Sequence, residues 1–314
     1  MMKCLIVDNM HESILPMLQE INLDADYRPE ITRKGVLEII KQYQGLIIRS
    51  KTVVDQEFID QAVNLKFIAR AGAGIDKLDI QAIEKAGIGV LNAPEGNRNA
   101  VAEHVMGMVL SMANNLNKSD KEIRAGIWDR EGNRGWELLG KTVGLLGYGF
   151  MGMEVARKMK LMGCNVLAYD KYKSSFSDEN VQEVSMSEIY SEADIFSIHV
   201  PLTSETKGLV NADYLTRFKK PIYVVNTARG EILVLHDLLQ LLKNGNIQGA
   251  ALDVLENEKI IHLPENQRIT FEKLIKSEKI LFSPHVAGWT FESYIGINET
   301  LKKKIQKYIA AINS

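Results

Sequence analysis

Apolar residues along this chain fall into two alternating patterns. Short runs rich in Ile, Val and Leu recur at 4–7, 46–48, 67–69 and 89–91. Between them, at 12–20, 35–43, 55–62 and 80–86, apolar residues stand three or four apart, the helical period. Thr32 and Asp55 sit where N-caps belong. Continuous apolar strands alternating with helices predict a parallel sheet covered on both faces. Ligands of such sheets collect beyond the carboxyl ends of the strands, where 49–51, 71–76 and 92–97 fall. A long helical pattern follows at 100–117, with a small, methionine-rich face of Ala102, Met106, Val109, Leu110 and Ala113. Further βα units are predicted downstream, with strands at 142–146, 166–169, 195–200, 222–226, 250–254 and 280–282. Helices are predicted at 150–162, 236–243 and 291–311, and 257–279 reads as a polar segment.

Bulk properties narrow the classes. The 314 residues suffice for two ordinary domains, and 46% hydrophobic with 25% charged residues is average for an α/β protein. A net charge of −2 gives no electrostatic case for nucleic acid or an anionic membrane. The two cysteines, Cys4 and Cys164, are too few for a disulfide framework and lie in or beside apolar runs, which predicts buried thiols in a reducing cytoplasm. No apolar run approaches the roughly 18 residues of a membrane span, and the N-terminus reads as a strand rather than a signal peptide. No metal site is predicted.

The most informative segment is GKTVGLLGYGFMG at 140–152. A strand opens into glycines at 147, 149 and 152, which suit a tight turn, a close approach of pyrophosphate and helix–strand packing, respectively. The pyrophosphate would meet the helix N-terminus. Asp170 closes the next strand, 18 positions past the last glycine, where an acid accepts hydrogen bonds from the adenosine ribose. A carboxylate there favours NAD over NADP; Lys171 and Lys173 pull the other way.

Three polar residues stand at later strand ends: Arg229 in NTARG, Glu258 in DVLENE and His285 in SPHVAG. Hydride transfer from a hydroxyl-bearing carbon needs a base, and histidine suits that at neutral pH. A carboxylate partner orients it, and arginine grips a substrate carboxylate with two hydrogen bonds. Each has a bland reading as well: a surface ion pair for the arginine, a satisfied backbone carbonyl for the histidine, and a solvated loop acid for the glutamate, as is expected of Glu256 and His262 nearby.

These residues make the chain similar to the D-isomer-specific 2-hydroxyacid dehydrogenase family over nearly its whole length. The segments that carry the resemblance are RSKT (49–52), ARAGAGIDKLD (69–79), NAPEGNRNAVAEH (92–104), the glycine loop, HVPLTSET (199–206), NTARGE (226–231), ALDVLENE (251–258) and SPHVAG (283–288). The resemblance implies two doubly wound parallel-sheet domains. A Rossmann cofactor domain, 99–286, would be inserted into a flavodoxin-like substrate domain, 1–98 plus 287–314, with hinges near 97–100 and 287–289. It implies Arg229, Glu258 and His285 as the catalytic trio. Gly147, Gly149, Phe150, Met151, Gly152, Asp170, His199, Pro201, Thr206, Thr227, Ala228, Asp253 and Gly288 would hold NAD. RSKT and NAPEGN resemble the phosphoglycerate-oxidising branch, which feeds serine biosynthesis. Arg49, Ser50, Asn97 and the Ala73-Gly74 backbone would then hold substrate across a cleft from the trio. The bland alternative for Arg49 is a strand-end salt bridge. Trp289 could instead shape a pocket for glyoxylate, hydroxypyruvate or lactate, and a distant alternative is an NAD(H)-sensing corepressor-like protein. Two departures stand out. Lys259 follows Glu258 where the family usually has proline, and the chain ends at Ser314, so no serine-sensing domain is expected. A homodimer through 100–136, including Trp128 and Trp136, is also expected.

Overall fold

Every strand pairing among the described residues, 1–312, is parallel, as the continuous apolar runs require. In the computed structural model the strands form two sheets. The first contains β1 (Met2–Ile6), β2 (Leu23–Tyr27), β3 (Gly45–Ile48), β4 (Phe67–Arg70) and β5 (Gly89–Asn92), in the order β2-β1-β3-β4-β5. This is the flavodoxin-like winding. The second contains β6 (Thr142–Leu146), β7 (Asn165–Tyr169), β8 (Gln182–Glu183), β9 (Ile195–Ile198), β10 (Ile222–Asn226), β11 (Ile247–Leu252) and β12 (Ile280–Phe282). Their order is β12-β11-β10-β9-β6-β7-β8. The chain enters this sheet at its middle, winds outward through β7 and β8, then crosses to β9 and winds the other way. That is the dinucleotide-binding topology, with its switch point between β6 and β9.

The sheets belong to two compact units, Met1–Asn99 with Trp289–Ser314, and Ala100–Gly288. In the first, Cys4, Ile6, Phe67 and Ala69 pack with Ile297, Leu301 and Ile305 of the helix Phe291–Ile312. In the second, the helices Arg98–Ala113 and Phe150–Leu161 cover one face of the sheet through Ala102, Val105, Val155 and Met159. Ile189, Leu238 and Phe196 belong to the core of the other face. The caps read from sequence are made: Thr32 Oγ1 accepts from the Gly35 N–H at 3.3 Å, and Asp55 Oδ1 from the Phe58 N–H at 3.0 Å. Both cysteines are buried and free, and burial pushes their thiols up, away from reactive thiolate. No helix among the described residues is long and apolar enough to cross a membrane.

The structure corrects three readings. The segment LDADY forms β2, an edge strand whose polar alternation resembles no buried run. The helix expected over 100–117 breaks at Asn115, whose φ of +49° is left-handed; Leu116–Arg124 then forms a separate helix. The polar stretch 257–279 contains a helix, Glu265–Leu274, which buries only Thr270 and Leu274 and so shows little apolar period.

Candidate active site

The glycine loop joins β6 to the helix Phe150–Leu161. Gly147 adopts a φ of +95°, and a Cβ there would lie 2.7 Å from the His199 carbonyl oxygen. A Cβ on Gly152 would meet the Gly147 oxygen at 2.2 Å, so the helix packs directly on the turn. Gly149 differs: its Cβ would meet nothing within 4 Å. It is also the helix N-cap and offers no side chain to the free N–H groups that begin at Phe150 and Met151. The second glycine thus opens onto space beside unsatisfied donors, as an incoming pyrophosphate requires.

Asp170 ends β7, and its carboxylate accepts from the Tyr148 N–H at 2.8 Å and the Tyr172 N–H at 3.0 Å. The two lysines that argued for a 2′-phosphate are both engaged. Lys171 pairs with Glu205 at 2.7 Å, and Lys173 donates to the Tyr148 carbonyl at 2.8 Å. Beyond β9, Thr206 Oγ1 donates to the Pro201 carbonyl at 2.6 Å. His199 Nε2 lies 2.9 Å from Ser197 Oγ, and burial pushes this imidazole down to about 4, so it stays neutral at neutral pH. After β10, Thr227 Oγ1 is buried without a hydrogen-bond partner among the described residues, and the Ala228 N–H donates to Asn226 at 3.0 Å. An orphaned hydroxyl and an open glycine on one sheet edge fit a dinucleotide. Gly288 closes this unit.

The trio comes from three neighbouring strands. Arg229 follows β10, Glu258 follows β11 and His285 follows β12, and these strands are adjacent in the sheet. Fully buried Asn226 shapes the arginine turn, donating to the Arg229 carbonyl at 3.0 Å. Arg229 itself donates to the Ala228 carbonyl at 2.6 Å. A Cβ on Gly230 would fall 1.9 Å from the Leu255 oxygen, so the arginine turn is pressed against the segment leading to Glu258. His285 Nδ1 and Glu258 Oε1 are 2.8 Å apart. Lys259, in place of the usual proline, does not displace the glutamate.

The histidine loop has its own foundation. His285 adopts a φ of +55°, a left-handed conformation that a non-glycine residue keeps only when its surroundings impose it. Asp253, 1% exposed, imposes it. Its carboxylate accepts from the Val286 and Ala287 N–H groups, both at 2.9 Å, and from Ser283 Oγ at 2.5 Å. Its carbonyl accepts from the His285 N–H at 2.7 Å. His104 Nε2 adds a contact with Ser283 Oγ at 2.8 Å. His104 and Ser283 escaped the sequence reading because their partners are distant in the chain, and Asn226 because nothing in the spacing singles out a buried turn-former before the arginine. Glu256 overturns an expectation: it is not a solvated loop acid but half-buried. It accepts from the Leu235 N–H at 3.1 Å at the start of the helix Leu235–Asn244, and burial raises its pKa. His262 is exposed, as expected.

In the first unit, Arg49 and Ser50 follow β3. The Arg49 N–H donates to Asp8 at 2.7 Å, and the exposed Ser50 accepts at its carbonyl from Lys77. The Ala73 carbonyl, beside Gly74, accepts from Asn92 at 2.8 Å. Asn97 Oδ1 is buried without a hydrogen-bond partner among the described residues.

The chain belongs to the D-isomer specific 2-hydroxyacid dehydrogenase family, whose NAD binding domain matches residues 106–287. Its second unit is therefore an NAD-binding domain. Over 97% of its length the chain is 34% identical to a D-3-phosphoglycerate dehydrogenase of Archaeoglobus fulgidus, of which it spans 56%. It spans little more than half the length of the phosphoglycerate dehydrogenases it matches. It is 33% identical to a hydroxypyruvate reductase of Thermotoga maritima, covering 96% of this chain and 95% of that one. A glyoxylate reductase from Paecilomyes thermophila superposes with a TM-score of 0.85 at 25% identity, covering 98% of this chain and 94% of that one.

Proposed function

We propose that this chain is an NAD-dependent dehydrogenase of D-2-hydroxy acids, and that its substrate is 3-phosphoglycerate, oxidised to 3-phosphohydroxypyruvate. The hydrogen bond between Glu258 and His285 carries the chemistry. With Nδ1–H donated to the carboxylate, Nε2 is the basic nitrogen and takes the substrate hydroxyl proton. As that proton arrives, Glu258 stabilises the imidazolium. Arg229 binds the substrate carboxylate and, in the reverse direction, polarises the keto oxygen. NAD supplies the hydride acceptor. Gly147, Gly149, Phe150, Met151 and Gly152 would hold its pyrophosphate and Asp170 its ribose. His199, Pro201, Thr206, Thr227, Ala228 and Gly288 would line the rest of its site, with Asp253 acting through the histidine loop. Arg49, Ser50, Asn97 and the backbone of Ala73 and Gly74 would hold the remainder of the substrate.

One observation supports the phosphate: among the described residues no carboxylate pairs with the Arg49 side chain, against the salt-bridge reading. The near-full-length match to a hydroxypyruvate reductase favours a second reading, in which the unphosphorylated keto acid is reduced. Steady-state rates with 3-phosphoglycerate, 3-phosphohydroxypyruvate, hydroxypyruvate, glyoxylate and pyruvate separate the two. The first reading expects the phosphorylated pair to have the highest kcat/KM; turnover of unphosphorylated acids alone would exclude it.

The proposal includes a homodimer through 100–136. The small face of the helix Arg98–Ala113 is used within its own unit, and Trp136 stacks on Tyr223 at 4.6 Å. Ile123, Ile127 and Trp128 remain exposed and would form the contact. Light scattering at micromolar concentration should give twice the chain mass, falling to the monomer in Trp128→Glu; a monomeric wild type would refute it.

A further inference from the structure

The Arg49 side chain is held in an unusual way for a strand-end arginine. Its guanidinium carbon lies 3.8 Å from the ring centre of Trp289 and 4.5 Å from that of Tyr294. The two rings meet edge to face, with centroids 5.2 Å apart, and an Arg49 N–H donates to the Tyr294 hydroxyl. All three residues belong to the first unit. Asp8, the nearby acid, is 7% exposed, and its oxygens accept from the backbone N–H groups of Arg49 and Lys51 at 2.7 and 3.2 Å. It therefore fixes the backbone and does not neutralise the side chain. Lys51 and Lys77 lie in the same loops and donate to the carbonyls of Pro29 and Ser50.

A guanidinium has five N–H donors in one plane. An aromatic ring packed on the guanidinium restricts rotation about the long stem and leaves in-plane donors for a ligand. The hydroxyl of Tyr294 takes up one donor and sets the in-plane angle. An arginine ordered in this way loses little freedom on binding an anion, and in its partly apolar surroundings the unpaired charge gains more from one than it would in water.

We propose that Trp289 and Tyr294 are positioning residues that hold Arg49 as a preformed fork, selecting substrates with a second anionic group, a phosphate, over singly charged 2-keto acids. This rests on the dehydrogenase reading above and deepens it. Trp289, in the loop just after the histidine, thereby selects charge instead of shaping an apolar pocket.

The test compares kcat/KM for 3-phosphohydroxypyruvate with that for hydroxypyruvate, two acids that differ only in the phosphate. Wild type should prefer the phosphorylated acid. In Trp289→Leu that preference should fall by about 10-fold, through KM of the phosphorylated acid and not through kcat, which is the scale of a lost stacking contact on a charged group. Trp289→Phe, which keeps a ring against the guanidinium, should recover most of it, and Tyr294→Phe should lose part. Trp289 is 56% exposed, so its replacement leaves the core intact. An unchanged preference in Trp289→Leu, with wild type still favouring the phosphate, overturns the positioning role alone. A wild type with no preference overturns the phosphate reading, and this inference with it.

Discussion

His285→Ala is expected to lower turnover at least about 100-fold, the scale of losing a positioned general acid–base, while NADH binding stays near wild type. The second half of that expectation follows from the structure. The loop is held by Asp253 through the backbone of Val286 and Ala287, not through the imidazole. Removing the ring therefore deletes the proton acceptor and leaves its scaffold in place. Glu258→Gln should cost less, roughly 10-fold, because an amide can still orient Nδ1–H through its oxygen but cannot offset the imidazolium charge. Steady-state rates and a titration of protein fluorescence with NADH measure the two effects separately. His199 is a poor substitute base, since burial lowers its affinity for a proton and its Nε2 is within hydrogen-bond reach of Ser197. Near-wild-type turnover in His285→Ala would move the chemistry to another group. A chain that binds NADH and never turns over would instead be an NAD(H) sensor.

Asp253→Ala should have the largest effect on the fold around the site. The carboxylate satisfies two backbone N–H groups and the Ser283 hydroxyl while 1% exposed. Each buried donor left without a partner costs about 1–3 kcal/mol. Water will satisfy part of what the smaller side chain vacates, so a net loss of roughly 3 kcal/mol is expected. The denaturation midpoint should fall accordingly. Turnover should fall with it, because His285 holds a left-handed conformation only while this loop is fixed. Asp253→Asn separates charge from shape: its amide can accept at one oxygen only, so one of the two N–H groups loses its acceptor. An unchanged midpoint in Asp253→Ala would mean that the loop is held by something else.

Much of this architecture is legible along the chain for a physical reason. A parallel strand buried on both faces is a continuous apolar run, and runs such as 4–7 and 46–48 announce themselves. The glycine loop is equally plain, since Gly147 and Gly152 stand where backbone leaves no room for a side chain. Glu258 and His285 are marked by the resemblance carried in ALDVLENE and SPHVAG, not by their spacing alone. What stays hidden are features without local periodicity. β2 is an edge strand with a polar alternation, and the helix Glu265–Leu274 buries two residues. Glu256 looks like any loop acid until the fold brings the start of a helix to it. The cage around Arg49 joins residues more than 200 positions apart, and only the return of the last helix to the first sheet assembles it.

The stereochemistry of the reaction tests the central claim most directly. 3-Phosphohydroxypyruvate, hydroxypyruvate and pyruvate, the keto acids of the panel whose products are chiral, are reduced with NADH, and the hydroxy acid formed is resolved on a chiral column. The expected result is NADH oxidation matched mole for mole by the D-isomer alone, slowed at least about 100-fold in His285→Ala. Formation of the L-isomer, or no NADH oxidation with any 2-keto acid, would contradict it.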